Sequence, residues 1–487
     1  MTKQEERTSL LVLFAFAMVL RLLLITQKNL WFDEIFSWHI TQDTFRSIII
    51  DTAGDIHPPF YYFVLKIWQE IFGVSVSVLR TPSALFSAAA VFFIYPLSKR
   101  VLDISSSLLV IFLFSISPLN IYFAQEARMA SLNLFLNAGA IYFLILLIEK
   151  TTNYKKFYLS FSFYLYTIFT LLALYTHYFS FFVLASELLY ILFHFRKEMK
   201  KLIYFIPSYV LIAWGYSPWF NTMILQIKKG QSWRGGQTTW AVVYQFLTFI
   251  KDIGMGFYHR YINNLISYPV EVIIFIIIII ASAGIIKLYK KAELNSTGVF
   301  IVLLSSIPFL TAILISFKQW IEYFRYLSII IPYILTFIVM GVNYFTKKIQ
   351  YTTIVIFILI NIFGLLLYFG NSSKNNDYRT LINSLSGDTT DIELYVYPHY
   401  FGWIIDYYTS DQIPPVTGYG WEFSMLLDTV NVHKPGKFWL VMDYHSMDSS
   451  KYDEYLAPIL NSYNKTSTST YPIQPNTLKL YLFERKK

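Results

Sequence analysis

The sequence predicts a polytopic α-helical membrane protein of about eleven transmembrane helices, followed by a small C-terminal α/β domain. Three observations carry that reading. Of 487 residues, 55% are hydrophobic, 19% aromatic and only 14% charged. With a mean hydropathy of +0.47, this excludes a disordered, fibrous or ordinary cytosolic chain. Apolar runs long enough to bridge a bilayer core of about 30 Å, which takes roughly 20 residues of helix, lie near 8–26, 77–98, 104–122, 129–148, 157–175, 178–194, 202–220, 267–286, 298–316, 326–345 and 352–370. After residue 370 the composition turns richer in Asp, Asn, Ser, Thr and Pro. There is no cysteine, so a disulfide framework, a zinc ribbon and thiol catalysis are excluded.

Taken in order, the first run is too long for a removable signal peptide and no small-residue cleavage site follows it, so it is expected to stay as a helix. A long loop, 27–76, comes next. Alternate connections between the later spans are short and basic: Lys99 and Arg100; Lys150, Lys155 and Lys156; Arg196, Lys197, Lys200 and Lys201; Lys287, Lys290 and Lys291; Lys347 and Lys348. The positive-inside rule puts these and the amino terminus in the cytoplasm. The net charge of +9, from 39 Lys and Arg against 30 Asp and Glu, is therefore a topology signal, and nucleic acid is not an expected partner. An odd number of spans then places loop 27–76 and the tail on the exterior face. The expected division is a transmembrane domain, 1–370, which includes loop 27–76, and an exterior α/β domain, 371–487, with strand-like runs at Ile392–Tyr397, Lys437–Met442 and Leu478–Phe483. No repeat of solenoid period is present.

Chemistry concentrates in the first exterior loop. The segment Asn29-Leu-Trp-Phe-Asp-Glu-Ile-Phe-Ser-Trp38 sets Asp33 and Glu34 between aromatic residues just past the first span. One reading is a solvated acidic pair beside an interfacial aromatic belt. The other is a proton acceptor, since rings that exclude water disfavour the charged carboxylate. The loop runs on through Asp43, Asp51 and Asp55 to His57-Pro-Pro-Phe-Tyr-Tyr62. There two prolines start a helix whose apolar residues Phe60, Phe63, Val64, Ile67, Trp68 and Ile71 recur on one face, so it is expected to lie in the membrane interface. A long loop anchored at both ends is more often functional than a mere connector.

Further charged residues are expected at the same face: Arg80 at the start of the second span, Glu126 and Arg128 between the third and fourth, His177 between the fifth and sixth, and Arg325 before the tenth. Singly, each reads as a helix-end or snorkelling residue. Together they point to a polar cavity, because ionisable groups at that depth need partners or water. Arg21 either snorkels outward or points into that cavity, and Glu187 inside the sixth span has no assigned role. His39, His57, His177 and His259 belong to exterior loops and show no metal-ligand spacing.

Four ordered motifs, Trp31-Phe-Asp-Glu34, His57-Pro-Pro-Phe-Tyr-Tyr62, Leu79-Arg-Thr-Pro-Ser-Ala-Leu-Phe86 and Ser117-Pro-Leu-Asn-Ile-Tyr-Phe-Ala-Gln-Glu-Ala-Arg128, resemble the prokaryotic branch of the protein O-mannosyltransferase and aminoarabinose transferase superfamily, glycosyltransferase family 39. These are membrane glycosyltransferases of the GT-C fold. The resemblance is dense over about the first 180 residues and thins to hydropathy plus Arg325-Tyr326 beyond them. It implies a sugar donor carried on a polyprenyl monophosphate, with Asp33 as the catalytic base and Glu34 as its supporting acid. Arg80 and Arg128 match family arginines near the donor phosphate or the catalytic acid, and His57 matches the histidine of the His-Pro-Pro motif. The eukaryotic glycine and lysine after that motif are replaced by Phe60-Tyr61-Tyr62, and Lys66, His177 or Arg325 are the candidates to supply the missing phosphate contacts. The lumenal insertion of the eukaryotic enzymes is absent, so the acceptor stays open among glycan, lipid and protein.

The chemistry is self-consistent. An acceptor hydroxyl needs a carboxylate to take its proton as it attacks the anomeric carbon. Fixed arginines stabilise the charge that grows on the leaving phosphate, holding two oxygens with one fork. Such a single displacement inverts the anomeric centre. No cofactor is required; a divalent metal is compatible with this chemistry but not predicted. The rival reading is a transporter or lipid-linked sugar flippase, but its marks, an inverted repeat and paired broken helices, are not seen. High Ile, Lys, Asn and Tyr content points to an AT-rich prokaryotic genome, and with it to a plasma membrane.

Overall fold

The computed structural model describes residues 1–150, 158–229, 238–256, 263–318, 323–370, 378–385, 392–408, 416–419, 422–443, 452–473 and 476–486. Lys155, Lys156 and His259 lie outside the described residues. The chain packs as two units, one made of Met1–Ile25 and Ile40–Gly370, the other of Thr26–His39 and Asn371–Lys487. Loop 27–76, read from the sequence as one piece of the transmembrane domain, is thus divided after His39. The physical reason is aromatic packing: Phe32, Phe36 and His39 lie on Trp403, and Trp38 on Tyr407.

In the larger unit, five helices among the described residues are long and apolar enough to cross a membrane: Val76–Ser98, Ala130–Glu149, Leu265–Lys290, Ser296–Ser316 and Lys347–Gly370. The bent pair Ile104–Ile116 and Pro118–Ala124 makes a sixth, and Phe161–Leu174, Ser180–His194 and Ser328–Val342 are shorter apolar helices. The runs near 8–26 and 202–220 fall on the helices Lys3–Leu22 and Ile206–Lys229. Ala130–Glu149 is the centre, with 83% of its apolar window enclosed against 33% for each of the last three long helices. Those outer helices leave Ile279, Leu314 and Leu366 exposed, as lipid-facing helices do.

Polar residues inside this bundle act as ties between helices. Arg21 is fully buried; its Nε donates to Ser87 Oγ at 2.8 Å, its Nη1 to the carbonyls of Ala17 and Ser115 at 3.0 and 3.3 Å, and its guanidinium lies 5.1 Å from the Phe114 ring. It therefore neither snorkels nor lines a cavity, and instead joins three helices. Glu187 accepts from Tyr166 Oη at 2.9 Å, and Tyr166 Oη is 3.1 Å from Tyr209 Oη, a tie of the same kind. The bend of 56° at Ser117–Pro118 has a local cause: the residue before a proline is pushed out of the α region, and proline starts a new helix well. It carries the chain into the Gln125–Met129 turn.

The expected interfacial helix forms as Phe60–Phe72, but its buried face is Tyr61, Tyr62, Leu65, Lys66 and Gln69. Of the apolar stripe, Ile67 and Ile71 are exposed and Phe60, Phe63, Val64 and Trp68 are half-buried. Apolar periodicity identified the helix and pointed its stripe outward from the protein, while Gln69 locks inward by a two-way hydrogen bond with Thr41, at 3.0 Å to its Oγ1 and 2.7 Å to its carbonyl.

The smaller unit holds a five-stranded sheet in the order β2-β1-β3-β5-β4, where β1 is Glu393–Tyr397, β2 Val416–Tyr419, β3 Lys437–Asp443, β4 Tyr463–Ile473 and β5 Asn476–Arg485. β1 runs parallel to β2 and β3, and β5 pairs antiparallel with both β3 and β4. Helices Phe401–Tyr408 and Phe423–His433 provide the crossovers that parallel strands require. The three strand-like runs of the sequence are β1, β3 and β5, the inner strands. β2 and β4 were missed because they are edges: β2 is four residues long, and β4 reads Tyr-Asn-Lys-Thr-Ser-Thr-Ser-Thr-Tyr-Pro-Ile, polar as exposed edges are.

Helices Asn264–Lys290 and Ile331–Val342 touch backbone to backbone. A Cβ on Gly284 would fall 1.9 Å from the Gly341 carbonyl oxygen, and one on Gly341 would fall 2.1 Å from that of Ala281. Small residues permit such approach between membrane helices. Gly284→Ala is expected to destabilise the protein by about 1–3 kcal/mol through overpacking, read as a lower melting temperature in detergent.

Candidate functional site

Three connectors converge at one end of the helical unit: Asp55–Pro59, Gln125–Met129 and Tyr175–Phe179. Each is fixed by backbone or side-chain bonds to distant parts of the chain. Pro59 starts the helix Phe60–Phe72, and the Phe60 N–H donates to the Tyr175 carbonyl at 3.1 Å, joining the first and third connectors. Gln125 Nε2 donates to the carbonyls of Arg21 and Leu23 at 3.0 and 2.7 Å, and its Oε1 accepts from Tyr368 at 2.6 Å. Arg128 Nη1 donates to Tyr62 Oη at 3.3 Å, while Ser83 Oγ donates to the Arg128 carbonyl at 3.2 Å.

Between them, and closed by the segment around Arg325 and Tyr326, is a pocket with about 400 Å³ of empty space, part of it open to solvent. Its polar wall is His57, Glu126, Arg128, Asn133, His177 and Arg325. Asn133 is oriented by Ser180, whose Oγ donates to its Oδ1 at 2.7 Å, and by Asn137 Nδ2 at 2.9 Å. Tyr326 stacks on Phe179 at 5.1 Å and lies 5.4 Å from the His177 ring.

The two histidines, 5.8 Å apart, have opposite hydrogen-bond polarity. His57 Nδ1 lies 3.1 Å from Asp55 Oδ2, so a carboxylate faces that nitrogen and the proton belongs there. Nε2 is then the ring nitrogen left for the pocket. His177 Nδ1 accepts the Phe179 N–H at 3.1 Å, which leaves its proton on Nε2 and makes it a neutral donor. Burial pushes His177 down to about 3, helped by the charges of His57 and Arg128. Burial alone would raise Asp55, but the His57 hydrogen bond and charge, the Ile56 N–H and Arg128 outweigh it and hold the carboxyl below its usual range.

Of the residues singled out from the sequence, the pocket unites His57, Glu126, Arg128, His177 and Arg325. Arg80 is buried with Nη1 on the Ile25 carbonyl at 2.7 Å, and Lys66 Nζ pairs with Glu70 at 2.7 Å, near the Phe45 ring. Asp33 and Glu34 belong to the other unit, in the first turn of the helix Phe32–Ile40, where negative charge suits the helix dipole. Glu34 Oε2 accepts the Trp31 N–H at 3.2 Å and Ser37 Oγ donates to the Asp33 carbonyl at 2.9 Å. Sequence reasoning did not select Asp55 or Asn133 and gave Glu126 no role. The Asp-x-His spacing of Asp55 and His57 was the available signal for the first, whereas Asn133 sits in a mainly apolar helix, where Asn137 one turn on was the available signal. Among the described residues, no three His, Asp or Glu side chains cluster so as to hold a metal ion.

Comparison with known proteins bears on this arrangement directly. Residues 56–221 match the family model described as dolichyl-phosphate-mannose-protein mannosyltransferase. That segment contains the second and third connectors whole and the first from residue 56 on. Over 98% of both chains the structure matches ArnT from Cupriavidus metallidurans in the apo state, with a TM-score of 0.62 at 11% identity. The chain has the GT-C glycosyltransferase fold. The undecaprenyl phosphate-bound form of the same ArnT matches over 97% of both chains with a TM-score of 0.60 at 12% identity. The oligosaccharyltransferase AglB from Archaeoglobus fulgidus, in complex with an inhibitory peptide and a dolichol-phosphate, matches over 98% of this chain and 74% of its own, with a TM-score of 0.57 at 12% identity. Comparison with curated protein sequences returns no match. The family resemblance read from the four motifs is borne out, and with it the reading of a membrane protein with several transmembrane helices.

His177 supplies a pH test. Its folded value of about 3 lies below the ordinary 6.5, so between those values the unfolded chain binds a proton that the folded chain refuses. The stability tied to this group is complete above pH 6.5 and is lost as pH falls toward 3. His177→Asn, which keeps an acceptor for the Phe179 N–H, is expected to flatten the acid fall in melting temperature.

Proposed function

We propose that the chain is an inverting glycosyltransferase that moves a sugar from a polyprenyl monophosphate to a hydroxyl of a glycan, lipid or protein. In this reading it spans a prokaryotic plasma membrane about eleven times, works at the exterior face and needs no cofactor. The supporting observation is the pocket, where two guanidiniums, a neutral imidazole donor and an Asp-backed imidazole line one cavity. Solved proteins of the same fold include one bound to undecaprenyl phosphate and one in complex with a dolichol-phosphate.

The donor is a phosphodiester with one negative charge, and the departing polyprenyl phosphate is a monoester that carries up to two. Arg128 and Arg325 are suited to hold phosphate oxygens in pairs, and they bind more strongly as that charge grows. The His177 Nε2–H adds a fixed neutral donor, and Asp55 fixes the orientation of the His57 ring beside it. Asp33 takes the proton of the acceptor hydroxyl as the new bond to the anomeric carbon forms and the bond to phosphate oxygen breaks. Glu34 supports it by capping the helix start. Arg80 acts through the Ile25 carbonyl, and Lys66, paired with Glu70, contributes charge to the field rather than a direct contact.

The test is incubation of purified protein with a panel of polyprenyl-phosphate sugars and measurement of polyprenyl phosphate release. Asp33→Asn is expected to abolish transfer while leaving expression and folding intact; a transporter or flippase would lose nothing. Arg128→Ala is expected to lower turnover by about 10²–10³-fold, with Arg80→Ala weaker, and wild-type rates in both would overturn the assignment. Asp55→Asn is expected to cost about 10- to 100-fold in turnover, with Asp55→Glu restoring it.

A further inference from the structure

The helix that carries Asp33 is nine residues long, Phe32–Ile40. A helix of that length is marginal in water by itself, so its position must come from what it packs on. Phe32, Phe36 and His39 recur at i, i+4 and i+7 and share one face. All three meet a single residue, Trp403: Phe32 at 6.3 Å with planes 12° apart, Phe36 at 5.8 Å, and His39 stacked at 4.4 Å with planes 16° apart. Phe32 also lies 4.6 Å from Tyr400, and Trp38 meets Tyr407 edge-on at 5.0 Å. The segment leading into the helix is pinned as well, because the Leu30 N–H donates to Tyr408 Oη at 2.7 Å across 378 positions of sequence.

The partner helix, Phe401–Tyr408, is firmly rooted. It follows β1 within a few residues, and Phe401, Ile404 and Ile405 on its far side are at most 2% exposed. From the sheet through this helix to the Asp33 helix, the smaller unit is one packed body.

We propose that the C-terminal unit is part of the catalytic apparatus: it is the seat that sets where Asp33 stands, and Trp403 is its central positioning residue. This deepens the proposed function and rests on Asp33 being the base. It assigns the tail a role distinct from gathering the acceptor, since a unit that only recruits acceptor has no need to hold a segment from the far end of the chain. A carboxylate must meet the acceptor hydroxyl at hydrogen-bond distance, and a misplacement of about 1 Å costs on the order of a hundredfold in rate.

The experiment compares full-length wild type, Trp403→Ala, Trp403→Phe and Tyr408→Phe in detergent or nanodiscs, by donor turnover and by amide exchange. Trp403→Ala is expected to lower kcat on the order of a hundredfold with donor KM unchanged. Exchange over residues 30–40 should quicken while the helix Ala130–Lys150 keeps its protection, and Trp403→Phe should recover most of both. Tyr408→Phe should quicken exchange at the Leu30 amide alone. Wild-type kcat in Trp403→Ala, or unchanged exchange over 30–40, overturns the proposal. If wild-type protein turns over no donor in the panel, the functional reading fails separately, and the exchange arm still decides whether Trp403 seats the helix. Should Trp403→Ala fail to fold, Trp403→Leu, which keeps apolar bulk but has no ring for Phe32 and His39 to stack on, decides by the same readouts.

Discussion

A charge or dipole held among apolar helices has no water to turn to, so it must find its partners inside the protein. Much of the helical unit follows from this constraint. Arg21 spends its guanidinium on Ser87 and on the carbonyls of two helices. Gln125, at the end of the short helix that starts at Pro118, spends its amide on the carbonyls at the end of the first helix and takes the Tyr368 hydroxyl in return. These bonds hold the Gln125–Met129 turn still, and so they hold Arg128 in the pocket wall.

The pocket shows how one residue type serves two purposes. Both histidines use Nδ1 for an internal bond, but the partner of one is a carboxylate and that of the other is a backbone N–H. The first arrangement holds a proton on Nδ1 and leaves Nε2 for the pocket; the second fixes a neutral donor at Nε2.

Much of this was legible from particular residues. The Asp-Glu, His-Pro-Pro and Gln-Glu-Ala-Arg motifs pointed to the family, and His57, Arg128, His177 and Arg325 do share a wall. Other features were not legible, for identifiable reasons. The apolar stripe of Phe60–Phe72 was real, yet the residues it left over, Lys66 and Gln69, are the buried ones. Next to a lipid phase, polar groups turn inward and apolar ones outward. Asp55 was passed over as one loop acid among several, because nothing local shows which carboxylate a histidine will meet. The edge strands β2 and β4 escaped because one is short and the other is polar.

By itself the sequence determined the apolar runs, the change to a mixed α/β tail and the inner strands, because these follow from how each stretch of backbone satisfies its own hydrogen bonds in lipid or in water. Only the tertiary structure decided that residues 26–39 belong with the C-terminal unit, that Arg21 is a tie between helices and that the two histidines differ in polarity. Each of these depends on contacts between segments tens or hundreds of positions apart. Such contacts are set by packing and by the search for buried partners, and no local pattern records them.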